Sequence, residues 1–399
     1  MPAMEAPPRP SSPLRLNRAF WRDERFIRIA VQILFLALVV WIGSVALRNM
    51  LTSLRQQGLV LGFDFLNSGA GFDISDALIA YSSSDTFARA LQVGLLNTIL
   101  VSLLGIVLST ILGIVVGVAR LSSNWLVSRM AWVFVEIMRN VPLLVLLVFI
   151  YTAFFLKLPR ARQAVSVGPV YLSNRGVAIP WGEPTDTWSL YVFILAGALI
   201  AGVLVGFAMR WWQERSGRPR PLVWPSLLTI AGIATVGWIA LPQPPLTLSY
   251  PEIAGFNFQG GRVLSPEFMA LLIGLVIYTA GFIGEVVRAG IQAVPKGQVE
   301  AARALGLSPL LTLRLVVFPQ ALRLIIPPIT NQYLNLTKNS TLAVAIGYPD
   351  LFAVSGTIIN QTGRAVEMIA VVMAVYLTLS LITSLIMNWY NRRVRLVER

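Results

Sequence analysis

Apolar residues fill long stretches of this chain, separated by short polar segments rich in arginine. Eight stretches are long enough, or nearly so, to cross roughly 30 Å of hydrocarbon as helices. They cover residues 27–48, 89–119, 131–156, 189–209, 222–241, 267–288, 341–358 and 367–390. The second is over-long for a simple crossing. The seventh is short and carries Gly347, Tyr348, Pro349 and Asp350, so a break is expected there. Before the first stretch, residues 1–26 are rich in Pro and Arg and read as a disordered tail. The apolar run that follows is too long for a secretory signal. Segment 49–88 is Gly-rich and carries Asp64, Asp73, Asp76 and Asp85, with length enough to meet a soluble partner. The pairs Gly113/Gly117 and Gly202/Gly206 have the small-residue spacing that lets helices approach closely.

Composition agrees with the pattern. Hydrophobic residues make up 56% of the 399 and charged residues 13%, against roughly 45–50% and about 25% in soluble proteins. The formal charge of +14 suggests nucleic acid only until the arginines are placed. Most flank the apolar runs instead of forming one patch, and nucleic acid is not an expected partner. With the N-terminus in the cytoplasm, the cytoplasmic segments collect most of the Lys and Arg, including the basic end 391–399. The cluster Lys157, Arg160 and Arg162 runs against that bias. Both termini are therefore expected in the cytoplasm. The chain has no Cys and no His, which removes thiol nucleophiles, disulfides, thiolate metal sites and imidazole acid–base chemistry together. No metal site is expected. Nor is there a phosphate-binding loop ending in Gly-Lys-Ser/Thr, so any ATP-driven work needs an engine on another polypeptide.

Residues 294–328, between the sixth and seventh stretches, carry the most local information. Pro295 and Gly297 stop the long helix before them. A short helix follows, from about Gln298 to Leu305. Gly306 suits the left-handed end of that helix, Ser308 suits an N-cap, and Pro309 suits the first helical position. A second helix is expected to reach about Phe318, with Pro319 at its end or at a kink. The short helix has small residues at Ala301, Ala302 and Ala304 and charges at Glu300 and Arg303. It reads either as a rigid knob for a soluble partner's groove or as an amphipathic helix lying on the membrane.

The spacing of Glu300-Ala301-Ala302, Gly306, Val316, Phe318 and Pro319 resembles the EAA signature of binding-protein-dependent ABC permeases. Val316 and Phe318 stand where that signature usually has Ile and Leu. Three segments are similar to the polar-amino-acid branch of the family: RNVPLLVLLVFIY (139–151), GEVVRAGIQAVPKGQVEAARALG (284–306) and KNSTLAVAIGYPDLF (338–352). The enlarged layout, with GFDFL (62–66) and AGFDI (70–74), resembles the general L-amino-acid type. The resemblance implies an all-α integral membrane protein of about eight transmembrane helices, with a type I importer (MetI-like) core of five helices at 89–156 and 267–390. An accessory helix at 27–48 and an insertion at 157–266 are added to that core, making 89–390 the permease domain and 49–88 a periplasmic loop. It further implies a bacterial inner-membrane location, with broad L-amino-acid import as the function. The expected partners are a sister permease chain, two ABC ATPase subunits carrying ATP and Mg, and a periplasmic amino-acid-binding protein. Glu300, Ala301, Ala302, Arg303, Gly306 and Pro319 would form the ATPase-coupling element, and no catalytic residue or cofactor is expected on this chain.

Polar groups inside apolar stretches are candidates for a pathway. After Pro327 and Pro328 a helix places Asn331, Asn335 and Lys338 on one face, with Ser340 and Thr341 following. Snorkelling of Lys338 is the alternative. In the third stretch Asn140 and Pro142 interrupt the helix and free backbone groups, either for substrate or as a packing kink. Glu136/Arg139 and Glu285/Arg288 repeat one spacing. They read as two intrahelical ion pairs or as a gate whose partners exchange. An ion-coupled secondary transporter or channel also uses broken helices and buried charge, but it leaves the 298–306 knob unexplained.

Overall fold

The computed structural model describes residues 24–56, 62–216 and 223–394. Most of the tail expected over 1–26 and most of the basic end 391–399 lie outside the described residues. One unit, ending at Phe65, contains α1 (Glu24–Gln56). Its apolar side chains from Ile27 to Leu47 are exposed throughout, as lipid-facing residues are.

The second unit begins at Leu66. In chain order its helices are α2 (Phe87–Ala119), α3 (Trp125–Asn140), α4 (Leu143–Phe149), α5 (Trp188–Ser216) and α6 (Val223–Ala240), then α7 (Pro266–Gln292), α8 (Lys296–Ala304), α9 (Pro309–Thr312), α10 (Phe318–Asn339), α11 (Leu351–Thr362) and α12 (Ala365–Val394). Seven helical segments of the described chain are long and apolar enough to cross a membrane, and the bent pair α3–α4 makes an eighth. The mostly helical fold read from the sequence therefore holds.

The central seam is α2 against α7. A Cβ on Gly113 would sit 2.5 Å from Ile283 Cγ2, and one on Gly117 would sit 2.7 Å from the Gly284 carbonyl oxygen. With little hydrophobic drive between helices in lipid, such close backbone approach maximises dispersion contact. Gly202 plays the same part between α5 and α6, where its missing Cβ leaves room for Ile230. A core of Val101, Leu147, Phe155, Leu271, Leu275 and Tyr348 closes the bundle between α2, α4 and α7.

Two expected breaks are present, and two expectations need correction. First, 341–358 is broken at Gly347–Asp350 as expected, and it is not the segment of membrane length. A 3-10 turn over Ser340–Ile346 ends at Gly347, whose φ of +82° only glycine adopts freely. Asp350 then caps α11 by accepting from the Ala353 N–H at 2.8 Å. Asn97 donates to the Pro349 carbonyl at 2.9 Å, and Thr98 Oγ1 accepts from the Leu351 N–H at 3.0 Å, so α2 pins the break. The membrane-length segment is instead Pro309–Ile346. Second, Pro319 does not end the helix, and Pro327 and Pro328 lie inside α10. A π-turn over Leu313–Val317 widens the backbone around Leu315, the residue whose carbonyl the Pro319 ring would strike in an α-helix. The interruption expected at Asn140 and Pro142 is present as well: the chain bends by 105° between α3 and α4, where Pro142 holds an extended ψ of 134°.

The insertion also holds strands that the apolar pattern does not announce. β1 (Val165–Val167), β2 (Val170–Ser173), β3 (Gly176–Ile179) and β8 (Arg262–Leu264) form an antiparallel sheet. β4 (Trp181–Pro184) pairs with β5 (Leu246–Ser249), and β6 (Glu252–Ala254) with β7 (Asn257–Gln259). β8 runs directly into α7, whose first turn Ser265 caps. α7 therefore has a β end and, a helix length away, an α8 end.

Candidate transport and coupling sites

At the α8 end, Pro295 precedes α8 and Gly306 follows it with φ +77°. The Gly306 N–H bonds the Arg303 carbonyl at 2.9 Å and the Leu307 N–H bonds that of Ala302 at 3.2 Å, so the last carbonyls of the helix are satisfied by a tight reversal. Ser308 then caps α9. The three alanines do not share one face. Ala302 is buried at 3% exposure, on the side facing α9 and the π-turn. Glu300, Ala301, Arg303 and Ala304 are exposed, and Leu305 is 82% exposed. The outward surface is thus one apolar side chain ringed by small and charged residues. Pro319, the last EAA position, lies two residues into α10 and stays outside that surface.

The polar stripe of α10 lies as its spacing suggested: Asn331, Asn335 and Lys338 are all exposed. Beside it a cavity of about 260 Å³ is lined by Tyr278, Thr279 and Phe282 of α7 and by Gln332, Asn335 and Asn339 of α10. The Tyr278 and Phe282 rings lie 5.0 Å apart and form its apolar wall. Ser340 does not join it. That side chain is fully buried, donating to the Thr337 carbonyl at 2.8 Å and lying 3.3 Å from the Tyr376 hydroxyl. Thr341 donates to the Lys338 carbonyl at 2.8 Å and is likewise spent on backbone. Tyr278, Thr279, Phe282 and Gln332 were missed from sequence because two helices far apart in the chain supply the cavity.

Asn140 and Pro142 sit at the α3–α4 bend. Asn140 donates to the Glu136 carbonyl at 2.7 Å and, more weakly, to its carboxylate at 3.4 Å. Glu136 and Arg139 form no ion pair with each other among the described residues. Glu285 takes Arg288 at 2.5 Å and also accepts from Arg120, which closes α2. Two guanidiniums from different helices therefore share one carboxylate at the α8 end of the α2–α7 seam.

At the β end, Asp76 lies in the loop before α2. Its carboxylate accepts from the Ser265 hydroxyl at 2.5 Å, and its carbonyl accepts from Asn97 at 2.7 Å. Burial raises its pKa above the ordinary aspartate range, against the lowering effect of the Ser265 bond.

The chain as a whole is similar to known proteins. Residues 109–396 match the family described as binding-protein-dependent transport system inner membrane component. The general L-amino acid transport system permease protein AapQ of Rhizobium johnstonii is 45% identical over 388 residues, covering 96% of each chain. A putative amino-acid ABC transporter permease protein of Escherichia coli, YhdX, is 47% identical over 92% of this chain and 94% of its own. The glutamate/glutamine/aspartate/asparagine permease protein BztB of Rhodobacter capsulatus is 42% identical over 98% of each. The likeness spans the insertion and the N-terminal helix as well as the core. The chain belongs to the family of binding-protein-dependent transport system inner membrane components, the permease subunits of ABC transporters.

Proposed function

We propose that this chain is a permease subunit of an ATP-driven importer for L-amino acids of broad range, placed in the bacterial inner membrane with both termini cytoplasmic. The observation that carries the coupling part is the exposed surface of α8. A nine-residue helix held between Pro295 and a left-handed Gly306, with Leu305 outermost, is a rigid projection fit for a groove in an ATPase subunit. The arginine bias puts this end in the cytoplasm. ATP and Mg bind two partner ATPase subunits, and no catalysis or cofactor is assigned to this chain. A periplasmic binding protein delivers substrate at the β end.

Substrate passes along the α10 stripe. The cavity beside it is open on this chain alone and would be closed by a sister permease subunit, in a heterodimer. Amides of Asn335 and Asn339 suit the carboxylate and ammonium groups common to all amino acids, and the Tyr278–Phe282 wall is undemanding toward side chains. The names of the relatives support this substrate class: AapQ is named for general L-amino acids and BztB for four acidic and amide amino acids. The α2–α7 seam, with Glu285 between Arg120 and Arg288, is where an inward gate would open.

The test is uptake of several labelled L-amino acids into proteoliposomes holding the chain with its partners. ATP-dependent uptake, lowered for every substrate by Asn335→Leu, is expected. Uptake that ignores ATP and follows an ion gradient refutes the importer reading and favours a secondary transporter.

A further inference from the structure

At the α8 end, positive charge outweighs the carboxylates that answer it. Arg120 and Arg288 converge on Glu285. Arg129, in the first turns of α3, has no ion pair among the described residues, and its guanidinium lies 4.2 Å over the Trp132 ring. These three arginines, with Ser123, Trp125 and Trp132, line one cavity of about 490 Å³ whose wall contains no Asp or Glu. Converging guanidinium forks match the oxygens of a phosphate group, which each fork can engage with two hydrogen bonds.

The surroundings distinguish a lipid phosphate from a free one. Trp125 is 75% exposed at the cavity's lip, the position indole rings take at the level of head groups. From there Met130, Val133 and Ile137, at helical spacings of three and four, form an exposed apolar track along α3. A phospholipid with one acyl chain running down that track would carry its phosphate into the arginine cavity. Basic pockets between membrane helices on the cytoplasmic side are suited to anionic head groups.

We propose that this cavity binds the phosphodiester head group of an anionic phospholipid, held by Arg120, Arg129 and Arg288, with an acyl chain against Met130, Val133 and Ile137. A phosphate there also relieves the competition of Arg120 and Arg288 for Glu285, tying lipid occupancy to the ion pairs across the α2–α7 seam.

The probe is phosphatidylglycerol, titrated into the detergent-solubilised transporter complex and read by native mass spectrometry. Phosphatidylethanolamine and inorganic phosphate run as parallel arms. Phosphatidylglycerol is expected to be retained in preference to phosphatidylethanolamine and to resist millimolar phosphate. Arg129→Gln, which breaks no ion pair, is expected to weaken its tightest binding about fivefold. Arg175→Gln, in the β layer, is expected to leave it unchanged. Equal retention of the two lipids overturns the proposal, as does a wild-type affinity in both Arg129→Gln and Arg288→Gln. Displacement by millimolar phosphate overturns the lipid assignment and leaves a free-anion site.

Discussion

Gly306 offers the sharpest test of the coupling role proposed for α8, because the structure separates backbone strain from the clash of a Cβ. Its φ is +77°, yet a Cβ built there meets nothing within 4 Å. For Ala, whose side chain is that Cβ alone, the cost within this chain is therefore conformational. A left-handed residue with a Cβ costs about 1–2 kcal/mol, Asn costs less because it tolerates that region, and β-branched Val costs most. A strain of 1–2 kcal/mol shifts the balance between the observed turn and a competing one by roughly 5–30-fold. If the orientation of α8 transmits ATP hydrolysis, the amino acids transported per ATP should fall in the order Gly, Asn, Ala, Val. The fold of the chain itself should be unaffected in the Ala variant, since its Cβ meets no packed atom. The assay is paired measurement of uptake and phosphate release in proteoliposomes holding the full complex, with complex recovery checked by size-exclusion chromatography. Equal coupling in Asn and Val variants, or in Val and the unsubstituted chain, would refute the reasoning, because strain would then have no bearing on α8.

Two further outcomes follow from other parts of the fold. Gly117→Ala drives a methyl to 2.7 Å from the Gly284 carbonyl and 2.7 Å from Val287 Cβ, an overpacking cost of about 1–3 kcal/mol. Gly232→Ala in α6 meets nothing within 4 Å, so thermal unfolding in detergent should show a lowered midpoint for the first and none for the second. Asp76 has a raised pKa, so the folded state holds this proton more tightly than the unfolded chain. That stabilisation is complete below the unfolded value near 3.8 and is lost as pH rises through the raised folded value. Asp76→Asn should therefore gain midpoint relative to the unsubstituted chain between pH 4 and pH 8, and a relative loss over that interval would contradict the burial argument.

What the sequence disclosed depended on whether one segment or two decide the structure. α2, α7 and α12 were legible because a long apolar run has few alternatives once lipid is the solvent. α8 was legible because Pro295, Gly306 and Ser308 each act within a turn of themselves. Pro319 misled for the opposite reason. Whether a proline ends a helix depends on the carbonyl four residues earlier, and for Pro319 that carbonyl, of Leu315, lies in the π-turn over Leu313–Val317. The strands of the insertion did carry local signals, in Gly168 (φ +60°) between β1 and β2 and Gly176 (φ +109°) opening β3. Strands of three or four residues bury too little to stand out beside apolar runs of twenty.

The same distinction explains the candidate pathway along α10. A helical period placed Asn331, Asn335 and Lys338 on one face of α10, and that face is exposed. The period says nothing of what stands opposite. Within this chain the answer is Tyr278 and Phe282, brought there by the packing of α7 against α10. An exposed amide–lysine stripe in a membrane-crossing helix is too costly to face hydrocarbon. It needs water or a second polar surface opposite it. The sister permease chain proposed above would supply that surface and leave a hydrated path between the two chains, so under that proposal the stripe is half of a site.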